Sequence, residues 1–149
     1  MNASEQATSI ERVCKIAAIA NLMIAELPQM KVDLSPWLQD NESRELDDPH
    51  SIDLAFHFPT RNFTYQGHTL LMQIRLPVGD RSELRPTSIE LSGHDFKGQQ
   101  WRLDTAIQAT DTTEEFWGIM PPLPHAQMKL KKISQKVINL FDPVSQPGS

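Results

Sequence analysis

The sequence contains one cysteine, Cys14, and few of the patterns that usually identify an enzyme. A single cysteine cannot form an internal disulfide, which fits a reducing, cytoplasmic compartment. The five histidines share no close spacing with one another or with Cys14, so no metal site is predicted. The scattered glycines form no phosphate-binding loop, and the nucleophile-elbow motif of serine hydrolases is missing. We therefore predict no cofactor, and an enzyme is not indicated.

Long apolar runs and an excess of positive charge are also missing. No apolar run approaches the roughly 20 residues that span a bilayer. The first nine residues lack the basic start and apolar centre of a secretory signal. The net charge of -5 argues against duplex nucleic acid as a partner. These absences predict a cytoplasmic protein that binds neither membrane nor nucleic acid.

Length and composition indicate one domain. A chain of 149 residues, 39% of them hydrophobic, is long enough to bury a core of its own. We predict a flexible tail over residues 1–8, a single domain over residues 9–143 and a second flexible tail over residues 144–149.

Two segments have helical periodicity. The first follows Thr8 and Glu11, which have the spacing of a capping box, and Pro28 ends it. Its predicted buried stripe consists of Ile10, Val13, Ala17, Ala20, Ile24 and Leu27. Cys14 lies at the edge of this stripe and is predicted to be a small buried hydrophobe. A second helix is predicted over residues 126–141, with lysines on its exposed side and a stripe of Leu130, Ile133, Val137 and Leu140.

Between the helices, four segments alternate apolar and polar residues as strands do, around residues 52–58, 69–76, 87–91 and 101–106. Their short connections favour antiparallel neighbours. We predict an α+β fold in which an N-terminal helix, a four-stranded antiparallel meander, a proline-rich connector and a C-terminal helix follow one another. Both helices are expected on one face of the sheet.

Two irregular segments allow more than one interpretation. Residues 29–50 are mostly acidic, which is typical of a solvated loop and also suits a docking surface for a basic partner. Trp37 is expected to pin this loop to the core. The prolines of residues 121–124 predict a rigid connector laid over the sheet, or a proline-rich ligand for another domain.

The order of these motifs resembles the ubiquitin-conjugating-enzyme (UBC-like) family. The segments that carry the resemblance are Tyr65-Gln66-Gly67, Leu70 through Pro77, Pro86 through Ile89, His94, Gly98, Leu103-Asp104, Trp117 and Leu140 through Pro143. They are similar to the family's Tyr-x-Gly turn, its second strand with a closing proline, the proline entry to its third strand, the start of its His-Pro-Asn motif, the residues that bracket its catalytic cysteine, and its later tryptophan and Asp-Pro.

The resemblance also shows where the family's chemistry is missing. The cysteine position of the family falls near Trp101 or Arg102, and neither side chain can form a thioester. Asp95 and Phe96 replace the Pro-Asn that would support an oxyanion. The residues that flank the family's active-site position are His94, Asp95 and Asp104.

The resemblance therefore implies a non-catalytic module that binds a ubiquitin-like protein or its activating or conjugating enzymes. The binding surface implied is the sheet face together with Tyr65, Gln66, Gly67 and His68. Two alternatives stay open. One is a conjugating enzyme whose chemistry is rescued at Cys14 or whose active-site residue has been substituted. The other is a small acidic chaperone or adaptor.

Overall fold

The computed structural model describes residues 1–37, 49–78, 85–107 and 112–141. Its helices are α1 (Ala3–Gln6), α2 (Ile10–Glu26) and α3 (Pro124–Leu140). Its strands are β1 (Lys31–Asp33), β2 (Ser51–Asn62), β3 (Gly67–Arg75), β4 (Ser88–Asp95), β5 (Gly98–Ile107) and β6 (Thr112–Gly118). They form one antiparallel sheet in the order β1-β2-β3-β4-β5-β6, so each strand pairs with its neighbours in the chain.

The predicted four-stranded meander with two flanking helices, of UBC-like type, is wrong. The sheet has six strands, and a short third helix precedes α2. The two strands that the sequence did not predict form the edges of the sheet. β1 lies in the segment predicted to be an acidic loop, and β6 lies between the fourth predicted strand and the prolines of the predicted connector, where no strand was predicted. The third predicted strand also continues through Ser92 and Gly93, where a break was expected.

The core lies between the sheet and the two long helices. One row of side chains crosses five strands on this face, through Leu54, Met72, Leu91, Leu103 and Phe116. Against it pack Ile19 and Met23 of α2 and Leu130, Ile133 and Val137 of α3, all of them without solvent exposure. The stripe predicted for α3 is confirmed at these three residues.

The first long helix is confirmed, but its buried face is not the one predicted. The residues of α2 that are buried are Ile16, Ile19 and Met23. Ile10 is 84% exposed and Val13 is 48% exposed, and Cys14 is exposed as well. Because alanine and isoleucine recur all around this helix, more than one face satisfies the three- and four-residue spacing.

The first residues pack against the sheet, whereas the sequence predicted a flexible tail over residues 1–8. The backbone N–H of Asp53 donates to the carbonyl of Met1 at 2.9 Å. The side-chain amide of Gln6 donates to the carbonyls of Pro49 and Ser51, each at 2.9 Å. Trp37 reaches the same region, since its indole donates to Asp53 Oδ2 at 2.6 Å. Most of the acidic segment (38–48), the end of the predicted domain (142–143) and the predicted tail (144–149) lie outside the described residues.

The face of the sheet opposite α2 and α3, called the open face here, is polar. One of its rows runs through Ala55, Leu71, Ser92, Arg102 and Trp117. Within the ranges described above, no helix is long and apolar enough to cross a membrane.

Candidate functional site

Three connections meet at one end of the sheet. They are the β2–β3 turn (63–66), the β4–β5 turn (96–97) and the segment between β6 and α3 (119–123). A meander reverses direction at every connection, so β2, β4 and β6 all finish at the same end of the sheet. The residues that the sequence predicted as a binding surface lie here: Tyr65, Gln66, Gly67 and His68.

Close contacts hold the first two turns against each other. The indole Nε1 of Trp101 donates to the carbonyl of Tyr65 at 2.6 Å, and this bond is buried. Gly67 packs on the backbone of His94 so closely that a Cβ at this position would lie 2.9 Å from the His94 carbonyl oxygen. The ring of Tyr65 stacks on Phe58 at a centroid distance of 5.7 Å. The turns therefore rest on the core and form a rigid platform.

The third connection is attached to the same platform. The backbone N–H groups of Ile119 and Met120 donate to the carbonyl of Gln100 at 3.0 and 3.1 Å. The N–H of Leu123 donates to the carbonyl of Thr64 at 3.0 Å. Backbone bonds thus tie this segment both to β5 and to the β2–β3 turn.

Arg61, near the end of β2, links all three connections through its side chain. Its guanidinium forms an ion pair with Asp95 and donates to Gln66 Oε1 at 3.3 Å. It also lies 3.8 Å from the sulfur of Met120 and 5.5 Å from the ring centroid of Phe63. One cation therefore contacts a carboxylate, an amide, a thioether and an aromatic ring.

Asp95 is the anionic partner in this arrangement, and its side chain is only 4% exposed. Burial raises its pKa, but the backbone N–H of Lys97, which donates at 2.7 Å, and the Arg61 guanidinium outweigh burial. The pKa of Asp95 consequently lies below its ordinary value. The carboxylate is charged at neutral pH and accepts a further hydrogen bond from Gln100 at 3.2 Å.

His94 and His68 lie beside this ion pair. Burial lowers the pKa of His94, and the charge of Asp95 offsets only part of that effect. His94 Nε2 lies 2.8 Å from Ser92 Oγ. The imidazole of His68 packs against the ring of Phe96 at 5.8 Å. At neutral pH the His94 imidazole is therefore neutral and supports the turn through its hydrogen bond.

Large apolar side chains project from all three connections. Phe63 is 72% exposed, Phe96 is 84% exposed and Ile119 is 89% exposed, while Met120 and Leu123 are each more than two-fifths exposed. We call these five residues, together with the Arg61–Asp95 pair, the hairpin-tip surface. Single exposed apolar residues need no explanation, but a group at one end of a sheet is typical of an interaction site.

The positions that the resemblance compares with an active site lie in different parts of the structure. Trp101 is fully buried in the core, whereas Arg102 lies on the open face. Arg102 Nε is 3.0 Å from Asp104 Oδ2 and 3.6 Å from Glu90 Oε1. His94 and Asp95 belong to the hairpin-tip end, so the predicted flanking residues divide between two places.

On the open face, beside β1, a row of hydrogen-bonded polar side chains connects β1, β2 and β3. Asp33 Oδ2 lies 3.0 Å from His57 Nε2, and His57 Nδ1 lies 2.9 Å from Thr69 Oγ1. His57 is opposite Thr69 in the register of β2 and β3. Burial raises the pKa of Asp33, but hydrogen bonds from His57 and the Ser35 backbone outweigh it and lower the pKa. The side chains of His57 and Asp33 are 43% and 35% exposed. We assign to this row of hydrogen bonds the role of holding the short strand β1 in the sheet.

No metal centre is found in the described parts of the chain. No group of three or more histidine, cysteine, aspartate or glutamate side chains there is placed to hold a metal ion. A pocket of about 200 Å³ lies at the other end of the sheet, lined by Arg85, Pro86, Ile107, Ile138 and Phe141. Ligand pockets usually measure about 300 to 1,000 Å³, so this one is small for a cofactor.

Sequence reasoning placed the site near Tyr65 but missed the residues that face solvent. Of the four residues predicted, Tyr65 is buried and Gly67 is packed against β4. The exposed residues Phe63 and Phe96 each sit in a turn, between polar neighbours. A phenylalanine in a polar turn sequence is the signal that points to them, since turns favour small and polar residues.

The fold is that of an α+β protein built on a single antiparallel sheet. The chain matches, over residues 4–143, the model of a family described as a domain of unknown function, and it belongs to that family. Neither the curated proteins nor the solved structures include a significant match to it.

Proposed function

We propose that this protein is a protein-binding adaptor or chaperone whose hairpin-tip surface enters a concave apolar surface of a partner protein. The observation that carries the proposal is the exposure of Phe63, Phe96 and Ile119 on three adjacent connections. Because these side chains project from turns, the complementary surface is a cleft rather than a flat face.

The composition of the surface favours a protein partner over a membrane. Phenylalanine, methionine and arginine are enriched at the centres of protein interfaces, and this surface combines them in Phe63, Phe96, Met120 and Arg61. Asp95 is charged and lies among them. Moving a carboxylate into a lipid interface is unfavourable, whereas a protein partner can solvate the Arg61–Asp95 pair with polar groups.

A second copy of the chain is a weaker candidate for the same surface. A two-fold contact would bring identical projecting tips together, and each copy carries a net charge of -5. The rigid attachment of the tips supports binding to a preformed cleft, because little conformational freedom is then lost on association.

The proposal is tested by incorporating the photo-crosslinking amino acid p-benzoylphenylalanine at position 96 in cells that encode this protein. The matched control carries the crosslinker at position 10, where Ile10 has the same 84% exposure as Phe96 but lies on α2. A protein crosslinked from position 96 but not from position 10 is then purified, and its affinity for the unmodified chain is measured.

We expect F63S and F96S each to weaken binding of that purified protein by about tenfold or more, as interface anchors do, and I10S to leave the affinity unchanged. Equal losses for all three variants would contradict the proposal. Crosslinks to lipid, with cosedimentation on vesicles of phosphatidylcholine and phosphatidylglycerol, would instead identify a membrane surface. Crosslinks only between copies, with a dimer in sedimentation, would identify self-association.

The ubiquitin-like partner implied by the resemblance stays a prediction, and the fold on which it rested is different. Titrating the 15N-labelled chain with purified ubiquitin and with a ubiquitin-like protein encoded nearby tests it directly. The enzyme alternative also stays a prediction. Position 101 is buried, so a thioester there would have to form inside the core. Alkylating the exposed Cys14 and measuring thioester formation tests the other version.

A further inference from the structure

The outer edge of β6 is the second feature that suggests a partner. Among the residues that the structure describes, β6 is the last strand of the sheet and pairs only with β5. The N–H of Ile107 donates to the carbonyl of Thr87, so the odd-numbered residues of β5 direct their backbone groups towards β4. The alternation of an antiparallel ladder then directs the even-numbered residues of β5 towards β6.

The register with β5 identifies which backbone groups of β6 face outward. Arg102 is opposite Trp117 and Asp104 is opposite Glu115, so Trp117 and Glu115 bond to β5. The N–H and C=O groups of Glu114 and Phe116 therefore point away from the sheet. No other described residue forms a hydrogen bond with these four outward groups.

Unpaired backbone groups on an edge strand are a template for another strand, and sheets usually protect such edges with lysine, proline or a bulge. The sequence of β6, Thr-Thr-Glu-Glu-Phe-Trp-Gly, contains neither lysine nor proline. The neighbouring helix contributes Lys131, which lies over the ring of Phe116 on the helix face of β6, at 5.8 Å.

The side chains beside this edge define the chemistry of a strand that would pair with it. Glu115 and Trp117 lie on the open face, where Trp117 packs with the Arg102 guanidinium at 5.7 Å. Glu114 lies on the helix face, where it accepts a hydrogen bond from Gln135 at 2.6 Å. Glu114 therefore has a partner within the chain, while no described cation forms an ion pair with Glu115.

We propose that the β6 edge accepts an extended segment of the partner protein as a seventh strand, with a basic side chain opposite Glu115 and an apolar side chain opposite Trp117. The two positions lie two residues apart on one face, and an antiparallel segment meets Trp117 before Glu115, so the segment has the pattern apolar-x-basic. This inference rests on the proposed function and specifies the chemistry of its partner. β6 ends next to Met120 of the hairpin-tip surface, so one partner can contact both sites.

A second copy of the chain fits this edge less well than a basic segment does. The antiparallel self-pairing that overlaps the two β6 strands fully places Glu115 directly opposite Glu115 of the other copy. Like charges directly opposite each other destabilise a strand pair, and the net charge of -5 on each copy adds to the repulsion.

The test uses the full chain and an acetylated, amidated peptide, Thr-Tyr-Val-Lys-Val-Thr, in which tyrosine and lysine share one face and meet Trp117 and Glu115 in an antiparallel pair. Amide hydrogen exchange is followed by NMR. At a peptide concentration about ten times Kd, exchange at the outward amides of Glu114 and Phe116 is expected to slow about tenfold. The inward amides of Glu115 and Trp117 are expected to change little, since they are already bonded to β5.

Two variants of one residue isolate the backbone contribution. E114P removes an outward N–H without removing a bond to β5, whereas E114T keeps that N–H. We expect the peptide to slow amide exchange at the β6 edge in E114T but not in E114P. We also expect a peptide with glutamate in place of lysine to bind at least about tenfold more weakly. Equal binding by the two variants, or no amide slowing at about 1 mM peptide, would overturn the inference.

The outcomes separate this inference from the proposed function. If the partner crosslinked from position 96 loses affinity with F96S but not with E114P, the hairpin-tip proposal stands and the edge proposal fails. If the peptide binds β6 while crosslinking from position 96 finds no protein, only the hairpin-tip proposal fails. Sedimentation as a dimer that E114P dissociates would show self-pairing and would also overturn the edge proposal.

Discussion

Trp101 donates a buried hydrogen bond of 2.6 Å to the carbonyl of Tyr65, which lies 36 residues earlier in the chain. The bond joins β5 to the β2–β3 turn across β4, the strand that lies between β3 and β5. Gly93 on β4 leaves room for the indole of Trp101, because a Cβ added at this position would lie only 2.2 Å from Trp101 Nε1. The position of the hairpin-tip surface thus depends on the absence of a side chain at residue 93.

The first prediction follows from that contact. G93A is expected to destabilise the protein by about 2 to 4 kcal/mol, because the indole must move and its hydrogen bond is lost. Urea unfolding at equilibrium measures the change. In a W101F background the ring no longer has the nitrogen that the new methyl meets, so the penalty of G93A should fall by about 1 kcal/mol or more. The same penalty in both backgrounds would show that the indole is not the obstacle.

The acid stability of the chain is predicted to depend on Asp95. Its pKa is lower in the folded chain than in the unfolded chain, where about 3.9 is usual, so the unfolded state binds more protons between the two values. The stabilisation is present above about pH 4 and is lost as pH falls through the lowered pKa. D95N should therefore be less stable at neutral pH and should lose less stability on acidification, as measured by urea unfolding across this range.

The control for Asp95 is E115Q, which removes a carboxylate that forms no ion pair with a described residue. A D95N curve that stays parallel to that of E115Q throughout this range would mean that Asp95 does not contribute to acid stability.

Glu90 on the open face is predicted to have the opposite effect. Burial, followed by the nearby charge of Asp104, raises its pKa, although Arg102 offsets part of the increase. A raised carboxyl pKa favours folding at low pH, and this contribution is lost as pH rises from the usual value of about 4.3 through the raised one. E90Q should consequently be more stable than the unmodified chain at pH 7, with the difference shrinking below about pH 4.

Side-chain 13C NMR provides a second measurement for Glu90. In D104N the titration midpoint of Glu90 should fall towards its usual value, but only part of the way, because burial remains. A midpoint that does not move would show that Asp104 is not a cause of the shift.

The start of α2 offers a direct comparison of two neighbouring residues. Ser9 is the residue that caps the helix, since its side chain accepts a hydrogen bond from the N–H of Arg12 at 3.2 Å. S9A should lower the free energy of unfolding by about 1 kcal/mol. T8A is the matched control, because Thr8 makes only a 3.5 Å contact with the carbonyl of Gln6. A larger loss for T8A would show that Thr8, which the sequence predicted as the capping residue, caps α2 instead of Ser9.

The predictable parts of the fold are those where one face of a helix or strand is buried, because burial of one face gives the sequence a regular spacing of apolar residues. Strands β2 to β5 have neighbours on both sides and direct alternate apolar residues into the core beneath the helices, and α3 has one clear apolar stripe. The edge strands were missed for a physical reason. β1 has only three residues, and β6 carries adjacent threonines and glutamates because its outer side faces solvent. Strand propensity is weak evidence at such positions.

The candidate site could be located from sequence but not resolved in detail. The motif around Gly67 marked a turn, and the structure explains it through the close approach to His94. The ion pair between Arg61 and Asp95 joins residues from separate hairpins, so no local spacing indicates it. The exposure of Phe63 and Phe96 likewise depends on how the hairpins align, which is a property of the whole sheet.

The strictly sequential order of the strands has a consequence for how the chain acquires its structure. Every strand pairs with the one that precedes it, so each new pair joins segments that are neighbours in the chain, and the sheet has a low contact order for a β-rich protein. The sheet can thus grow hairpin by hairpin as the chain leaves the ribosome. α2 is synthesised early but completes the core only when α3 emerges, which makes the last helix the step that commits the molecule to its native state.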